Sequence, residues 1–226
     1  SSNEITEHIK KTIKDNKSNK FFFNEDYSFS LGENGFFYFE DKYGGLKLPL
    51  PNLIGHFQLE NVSTAIATLR AIEDLNIEDD HIKNGITKIE SIARLQEIKS
   101  GKLKELVKNN TLIVSGDHNE DGARVLNEYL KSLNFNKHII LGMMANKDHL
   151  KYISYFKDIS SITTVDIPNQ KNSISGIDLK NKISSQINAN YEKSIEKAIQ
   201  SISLQDNDII VITGSLYLAG EVLNLN

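Results

Sequence analysis

Segment 115–119, Ser-Gly-Asp-His-Asn, combines side chains that can bind a ligand with a position between two regular elements. Strand-forming residues at 111–114 precede it, and apolar residues recur at helical spacing after it. In open α/β sheets, a polar loop between a buried strand and a helix N-terminus is a common ligand site, because its N–H groups and the helix dipole favour anions. His118 and Asn119 add directed hydrogen bonds. An ordinary strand–helix connection explains the same pattern.

Two later loops follow predicted strands in the same way. Lys147 follows the strand at 138–142 and is expected in the first turn of the next helix, an unusual place for a cation because of the helix dipole. Ser215 follows the strand at 208–213 and suits the N-cap of the last helix, a position that a ligand carboxylate also suits. A third loop, 168–175, offers no residue with an assignable task.

Two amide side chains lie close together earlier in the chain. Gln58 and Asn61 are three positions apart at the start of a predicted helix, so they share one face of its first turn. Paired amides can bind a planar heterocycle that has both donors and acceptors, such as adenine. Capping of the helix start is the competing interpretation.

The elements that must position these residues fall into two groups. Before residue 91 we predict a helix at 4–14, an antiparallel β-meander and two helices, the first carrying Val62 to Ile72 and the second at 78–89. The meander is predicted from four aromatic-rich segments separated by turn residues, at 21–23, 27–31, 36–39 and 46–50. We therefore expect a domain boundary near residue 90, with domains at 1–90 and 91–226.

After residue 90 the pattern changes to alternating strands and helices. Strands are predicted at 95–98, 111–115, 138–142, 161–166 and 208–213. Helices are predicted at 120–133, 147–157, 176–187, 192–203 and 215–223. Such alternation predicts an α/β fold with a mostly parallel sheet covered by helices on both faces.

Composition excludes several classes of function. The 226 residues carry 26 Lys and Arg against 30 Asp and Glu, a net charge of −4 without a basic cluster, which argues against nucleic-acid and membrane-surface partners. The absence of Cys excludes disulfides, thiolate metal sites and cysteine nucleophiles. Since no signal peptide or membrane-spanning run is present, we expect a soluble, cytoplasmic protein.

Five stretches occur together in a definite order: L-I-G-H-F-Q-L-E-N at 53–61, A-R-L-Q at 93–96, G-D-H-N at 116–119, G-M-M-A-N-K-D at 142–148 and T-G-S-L-Y-L-A-G-E at 213–221. In this order they resemble the folylpolyglutamate synthase/dihydrofolate synthase family of the Mur ligase superfamily. The resemblance covers the C-terminal part of that family, from about residue 48 to the end. It implies a Rossmann-like amino-acid-binding domain at 91–226, preceded by the β-meander and helical tail of the central ATPase domain at 1–90.

The resemblance also implies an activity, that of an ATP-dependent carboxylate–amine ligase. In that family ATP phosphorylates a pterin-bound carboxylate, and the amine of L-glutamate attacks the acyl phosphate. The implied cofactors are ATP and Mg²⁺, the implied substrates are L-glutamate and dihydropteroate or folate, and the implied assembly is a monomer.

Residue roles follow from the same resemblance. On the nucleotide side, Asn61 with Gln58 corresponds to the adenine reader, and Arg94 to the catalytic arginine that reaches the ATP phosphates. His118, the second catalytic candidate, corresponds to a residue near the ribose and phosphates. A guanidinium suits phosphate binding because it stays charged and can bind two oxygens at once.

On the amino-acid side, Lys147 and Ser215 match positions that hold the incoming carboxylates in related Mur ligases, and Asn119 is a further substrate-binding candidate. Ser115 departs from the family because it stands where the family has the Asp that binds the ribose hydroxyls. A serine hydroxyl can still bond one of them, and Asp117 is the alternative ribose ligand.

No phosphate loop of the form G-x-x-x-x-G-K-[ST] occurs in these 226 residues. The resemblance places that loop and the Mg²⁺ ligands ahead of residue 1, so we assign no metal ligand here and expect the chain alone to be inactive. Two alternatives remain open, a cell-wall Mur-type amino-acid ligase and a non-catalytic derivative of the family.

Overall fold

The computed structural model describes residues 2–16, 20–33, 35–53, 55, 57–72 and 74–226. The chain divides into two compact units, Ser1–Glu90 and Ser91–Asn226. Ile54 and His56, part of the 53–61 motif, lie outside the described residues. None of the described helices is both long enough and apolar enough to cross a membrane.

The first unit contains the predicted antiparallel meander, which is confirmed. Its elements are α1 (Ser2–Asn16), β1 (Tyr27–Leu31), β2 (Phe36–Asp41), β3 (Gly44–Pro49), α2 (Phe57–Ala71) and α3 (Asp79–Ile86). The strands pair in the order β1-β2-β3. The segment predicted as a strand at 21–23 forms only an isolated bridge between Phe23 and Tyr27.

Alternation along β2 explains how this sheet packs. Phe37 and Phe39 are 0% and 1% exposed, whereas Tyr38 between them is 40% exposed. Because successive strand residues point to opposite faces, this pattern directs one face of the sheet to a core. That core includes residues of β3, α2 and α3, namely Leu46, Leu48, Leu59, Val62, Ile66, Ile82 and Ile86.

The second unit is a mostly parallel sheet with flanking helices, as predicted, and the sheet has six strands instead of the five predicted. Its strands are β4 (Gln96–Glu97), β5 (Thr111–Val114), β6 (Asn136–Leu141), β7 (Ser161–Val165), β8 (Asn190–Glu192) and β9 (Asp208–Thr213). Its helices are α4 (Lys102–Val107), α5 (Glu120–Lys131), α6 (His149–Ile153), α7 (Gly176–Ile183), α8 (Ile195–Ser201) and α9 (Leu216–Leu225). Neither β8 nor α4 was predicted, because both are too short for a periodic pattern to be recognised in the sequence.

Strand order determines where the site forms. The order is β4-β5-β9-β6-β7-β8, and all pairings are parallel except that of β4 with β5. The last strand, β9, lies between β5 and β6, and all six of its residues are buried, as expected for a central parallel strand. The C-terminal ends of β5, β9, β6 and β7 therefore lie side by side.

Candidate functional site

A pocket of about 580 Å³ lies in the second unit, in the loops that follow four adjacent parallel strands. Its lining comes from the ends of β5, β6, β7 and β9, namely His118, Met144, Ala145, Asn146, Lys147, Lys171, Asn172, Ser215, Leu216 and Tyr217. Ligands of open α/β sheets bind at this edge. The structure brings together His118, Lys147 and Ser215, three residues that the sequence analysis had selected from separate loops.

Ser215 is the N-cap of α9, as its sequence position predicts. Its hydroxyl accepts a hydrogen bond of 3.1 Å from the Tyr217 amide, and the residue is only 2% exposed. The preceding Gly214 has φ +106°, and its amide donates to the Asp117 carbonyl at 3.0 Å. The start of α9 is therefore joined to the loop after β5.

Lys147 does not lie where the sequence analysis expected it. The N-cap of α6 is Asp148, whose carboxylate accepts from the Lys151 amide at 3.0 Å, so Lys147 precedes the helix instead of occupying its first turn. An acidic cap here is favourable because of the helix dipole, which removes the apparent conflict with a cation. Among the residues that the structure describes, the Lys147 side chain has no hydrogen-bond or ion-pair partner.

The buried side chain of His149 forms a hydrogen bond to the backbone of the loop after β6. The residue is 1% exposed, and its Nε2 donates to the Met144 carbonyl at 3.0 Å. Burial lowers the pKa of His149, so its neutral form is favoured. The backbone that carries the pocket residues from Met144 to Lys147 is thereby attached to the core.

The loop at 168–175, which had no assigned task, forms part of the pocket wall. Met144 and Ser173 form an antiparallel bridge, and the Ala145 amide donates to the Asn172 carbonyl at 2.9 Å. These bonds bring Lys171 and Asn172 into the lining. Sequence reasoning missed both residues, although β7 is a neighbour of β6 and its loop had to emerge at the same edge of the sheet.

Arg94 projects from an unusual backbone segment of the second unit. Its neighbours Ala93 and Leu95 have φ +56° and +51° and are buried, whereas the Arg94 side chain is 53% exposed. Residues other than Gly seldom adopt positive φ, and such strain is often found at functional sites. The Gly116 amide donates to the Ala93 carbonyl at 2.7 Å, which holds the segment against the loop after β5.

Asp117 lies between Arg94 and Ser115. Its Oδ2 accepts a 2.5 Å hydrogen bond from the Ser115 hydroxyl, and its Oδ1 is 4.0 Å from the Arg94 guanidinium. Burial raises the pKa of the Asp117 carboxyl, an effect that Ser115 and Arg94 oppose. The side chain is 10% exposed, so it keeps a small contact with solvent.

The geometry gives Ser115 two partners within the protein, and direct binding of the ribose by Ser115 stays a prediction. Ser115 is 1% exposed, and its hydroxyl accepts from the Leu95 amide at 3.3 Å while it donates to Asp117. With both of these bonds made and no exposed surface, Ser115 positions Asp117 and the Arg94 segment. Of the two residues, Asp117 is the one whose side chain keeps some exposure to solvent.

The raised pKa of Asp117 leads to a prediction about stability. A carboxyl whose folded pKa lies above its unfolded value stabilises the fold in its protonated form, and this contribution is lost as pH rises through the folded pKa. We expect the Asp117→Asn variant not to show this loss of stability with rising pH, because asparagine does not ionise. Urea unfolding at several pH values should show Asp117→Asn gaining stability relative to wild type as pH rises from about 3.9, the ordinary Asp pKa. A difference that is constant with pH would contradict the prediction.

His118 and Asn119 have different environments although they are adjacent. The Nδ1–H of His118 donates to the Gly116 carbonyl at 3.1 Å, which leaves Nε2 as an acceptor at the pocket. The Asn119 side chain accepts from the Gly122 amide at 2.9 Å as the N-cap of α5, and Asn119 is not in the pocket lining. Its observed contact is thus a structural cap.

Gln58 and Asn61 lie in α2 of the first unit, on one face as predicted. The Asn61 amide donates to the Gln58 side-chain oxygen at 3.1 Å. Gln58 is 5% exposed, whereas Asn61 is exposed. The buried glutamine therefore orients the exposed asparagine, whose carbonyl oxygen and second N–H are available to a planar ligand.

A protein-held metal does not fit the residues that the structure describes. No group of three or more His, Cys, Asp or Glu side chains in that part of the chain is arranged to hold a metal ion. We therefore derive no chemical step through a metal from this chain.

The second unit matches a known protein family. Residues 94–216 match the family model described as Mur ligase, glutamate ligase domain, which is more than half of the chain. The chain belongs to the Mur ligase family. The matched region begins at Arg94 and ends at Leu216, so it includes all the pocket residues except Tyr217. A comparison with curated protein sequences gave no match.

Solved structures resemble this Mur ligase chain over most of its length. Escherichia coli FolC in complex with ADP aligns with a TM-score of 0.77 at 20% identity, over 96% of this chain and 50% of that one. A bifunctional folylpolyglutamate synthase/dihydrofolate synthase with Mn, AMPPNP and L-glutamate bound gives 0.78 at 19% identity, over 96% and 50%. Mycobacterium tuberculosis folylpolyglutamate synthase complexed with ADP and AMPPCP gives 0.73 at 18% identity, over 90% and 48%. These likenesses establish the fold, and the chain spans about half the length of the structures that it matches.

Proposed function

We propose that this chain is part of an ATP-dependent ligase that joins L-glutamate to the carboxylate of a folate or dihydropteroate. The observation that carries the proposal is the meeting of His118, Lys147 and Ser215 in one pocket of a Mur ligase domain, with no acidic residue among its described lining. A pocket of this charge suits an anionic amino acid. The presence of L-glutamate in one of the similar structures supports the same substrate.

The amino-acid pocket has two tasks in such a reaction. Lys147 and the N-terminal amides of α9 neutralise the charge of the α-carboxylate, and the amine of the amino acid stays free to react. Holding that amine close to an activated carboxylate makes the joining step effectively intramolecular. The amine nitrogen then forms the new C–N bond and releases its proton, while phosphate leaves.

The nucleotide is assigned to a second set of residues, which shares His118 with the amino-acid pocket. ATP supplies the phosphoryl group that activates the carboxylate. In the first unit, Asn61, oriented by Gln58, is assigned to the adenine. In the second unit, Asp117 is assigned to one ribose hydroxyl and the Nε2 of His118 to the other. Arg94 binds phosphate oxygens, for which its exposed and loosely paired guanidinium is suited.

The two compact units suggest a division of these tasks. We propose that residues 1–90 are the C-terminal portion of the ATP-binding domain and that residues 91–226 are the amino-acid-binding domain. The acids that hold the divalent cation of ATP, expected to be Mg²⁺, are assigned outside the described residues, because these contain no suitable cluster.

A reconstituted assay tests the proposed function. The complete gene product is incubated with ATP, Mg²⁺, L-glutamate and either dihydropteroate or tetrahydrofolate, and ADP release and incorporated glutamate are measured. We expect both products in equal amounts, and only when all components are present. A UDP-linked muramyl carboxylate in place of the pterin tests the cell-wall alternative. If neither pterin supports glutamate-dependent ADP release, the folate assignment is refuted. If no acceptor supports it, a non-catalytic derivative is favoured.

A further inference from the structure

We infer that Lys171 binds the side-chain carboxylate of the incoming amino acid and thereby makes the pocket selective for a dicarboxylic amino acid. This inference rests on the proposed ligase function and extends it, because neither the family resemblance nor the sequence pattern gave Lys171 a role. The juxtaposition that carries it is a second lysine, from a different strand, in the pocket that already contains Lys147.

The charges around the pocket favour a ligand with two negative groups. Lys147 and Lys171 both line it, and the described lining contains no Asp or Glu. Within the part of the chain that the structure describes, neither lysine side chain has a hydrogen-bond or ion-pair partner. The acid next in sequence, Asp148, is not in the lining, and its carboxylate accepts from the Lys151 amide as the cap of α6. The pocket wall therefore carries a local excess of positive charge in a protein of net charge −4. A ligand with a single carboxylate would leave one of the two lysines unused.

The backbone presents Lys171 to the pocket in a defined way. The Ser173 amide donates to the Gln170 carbonyl at 3.0 Å, so Lys171 and Asn172 occupy the two central positions of a tight turn. The Ser173 hydroxyl also donates to the Gln170 carbonyl, at 2.7 Å. Since Ser173 is bridged to Met144 in the loop after β6, the turn is held beside the segment that carries Lys147.

The two lysines approach the ligand from neighbouring strands. Lys147 follows β6 and Lys171 follows β7, and these strands pair in parallel. Ser215, the N-cap of α9 and a lining residue of the same pocket, follows β9, the strand on the other side of β6. We therefore assign the α-carboxylate to Lys147 and the α9 N-terminus, and the side-chain carboxylate to Lys171, on the β7 side. Glutamate has its two carboxylates at opposite ends, as this arrangement requires.

Selectivity measurements on the complete gene product test the assignment. The variants are Lys171→Gln, the charge-restoring Lys171→Arg, and Lys193→Gln as a control at an exposed lysine outside the pocket. Kinetics are measured with L-glutamate and with L-glutamine, which has the same shape but lacks the second charge. We expect Lys171→Gln to raise the KM for L-glutamate roughly 10- to 100-fold, as for loss of a charged hydrogen bond, with little change for L-glutamine. Lys171→Arg should restore most of the preference, and Lys193→Gln should match wild type.

The outcomes separate this inference from the function on which it rests. If wild type transfers glutamate but Lys171→Gln keeps its preference over glutamine, the assignment of Lys171 is wrong and the ligase function stands. An equal loss for both amino acids would likewise overturn the assignment, because it would indicate a role in folding or in α-carboxylate binding. If wild type shows no glutamate-dependent reaction, the proposed function and this inference fail together.

Discussion

Replacing Arg94 by alanine should lower the turnover of the complete ligase by about 100- to 1,000-fold, the range found when one preorganised charge or donor is removed from a transition state. The reason is the role proposed for Arg94, which is to bind the phosphate oxygens of ATP. Its side chain is 53% exposed and its nearest acid, Asp117, is 4.0 Å away, so the guanidinium is not committed to an internal ion pair. The positive φ angles of Ala93 and Leu95 on either side of it are a backbone strain of the kind that often occurs at functional sites.

The chain offers a matched control for this change. Arg124 is 46% exposed and bonds Asp121 and Glu128 on its own helix, at 2.7 and 2.8 Å. Arg124→Ala should leave turnover unchanged and cost less than about 1 kcal/mol of stability, as is usual for exposed ion pairs. Steady-state kinetics and urea unfolding of both variants separate catalysis from folding. Equal turnover in the two variants would contradict the assigned role of Arg94.

Gly214→Ala should destabilise the second unit by about 2–5 kcal/mol, combining the cost of a non-Gly residue at positive φ with that of overpacking a core. Gly214 has φ +106°. A Cβ there would lie 2.6 Å from the Gly142 carbonyl oxygen, 2.7 Å from Leu141 Cδ1 and 2.9 Å from Met143 Cγ. The backbone oxygen cannot move without disturbing the loop after β6, so the substitution should also deform the pocket.

A second glycine serves as the control for this experiment. Gly220 lies within α9, and a Cβ there would meet nothing within 4 Å. Gly220→Ala should therefore stabilise the protein by about 0.5–1 kcal/mol, the usual gain for this change in a helix. Urea unfolding followed by far-ultraviolet circular dichroism measures both effects. Similar free energies of unfolding for the two variants would show that the conformation of Gly214 carries no special cost.

Much of the second unit was predictable because its signals are local. The parallel strands at 111–114, 136–141, 161–165 and 208–213 contain clusters of apolar and β-branched residues, and the helices between them show helical spacing of apolar residues. The N-cap of α9 at Ser215 follows from its side chain and its place before an apolar run. By contrast, β8 and α4 are three and six residues long, too short for a period to be counted.

Parts of the site were not predictable because they depend on contacts between residues that are distant in the sequence. The sequence suggested a ligand-binding hydroxyl at Ser115, yet that side chain is buried and bonds the Leu95 amide and Asp117, whose own carboxylate keeps a small contact with solvent. Lys171 carried no signal because its place in the pocket depends on a bridge between Met144 and Ser173, which lie in loops after different strands. Burial and cross-loop contacts are properties of the assembled chain.

By itself, the sequence determined the alternation of strands and helices, the meander that precedes it, and the residue types able to bind a nucleotide and an anionic amino acid. These follow from the side-chain period of each segment and from the chemistry of single residues. Only the tertiary structure decided that β9 lies between β5 and β6, which joins His118, Lys147 and Ser215 in one pocket and admits Lys171 from β7. The order of strands in a sheet depends on non-local packing, and no local pattern encodes it.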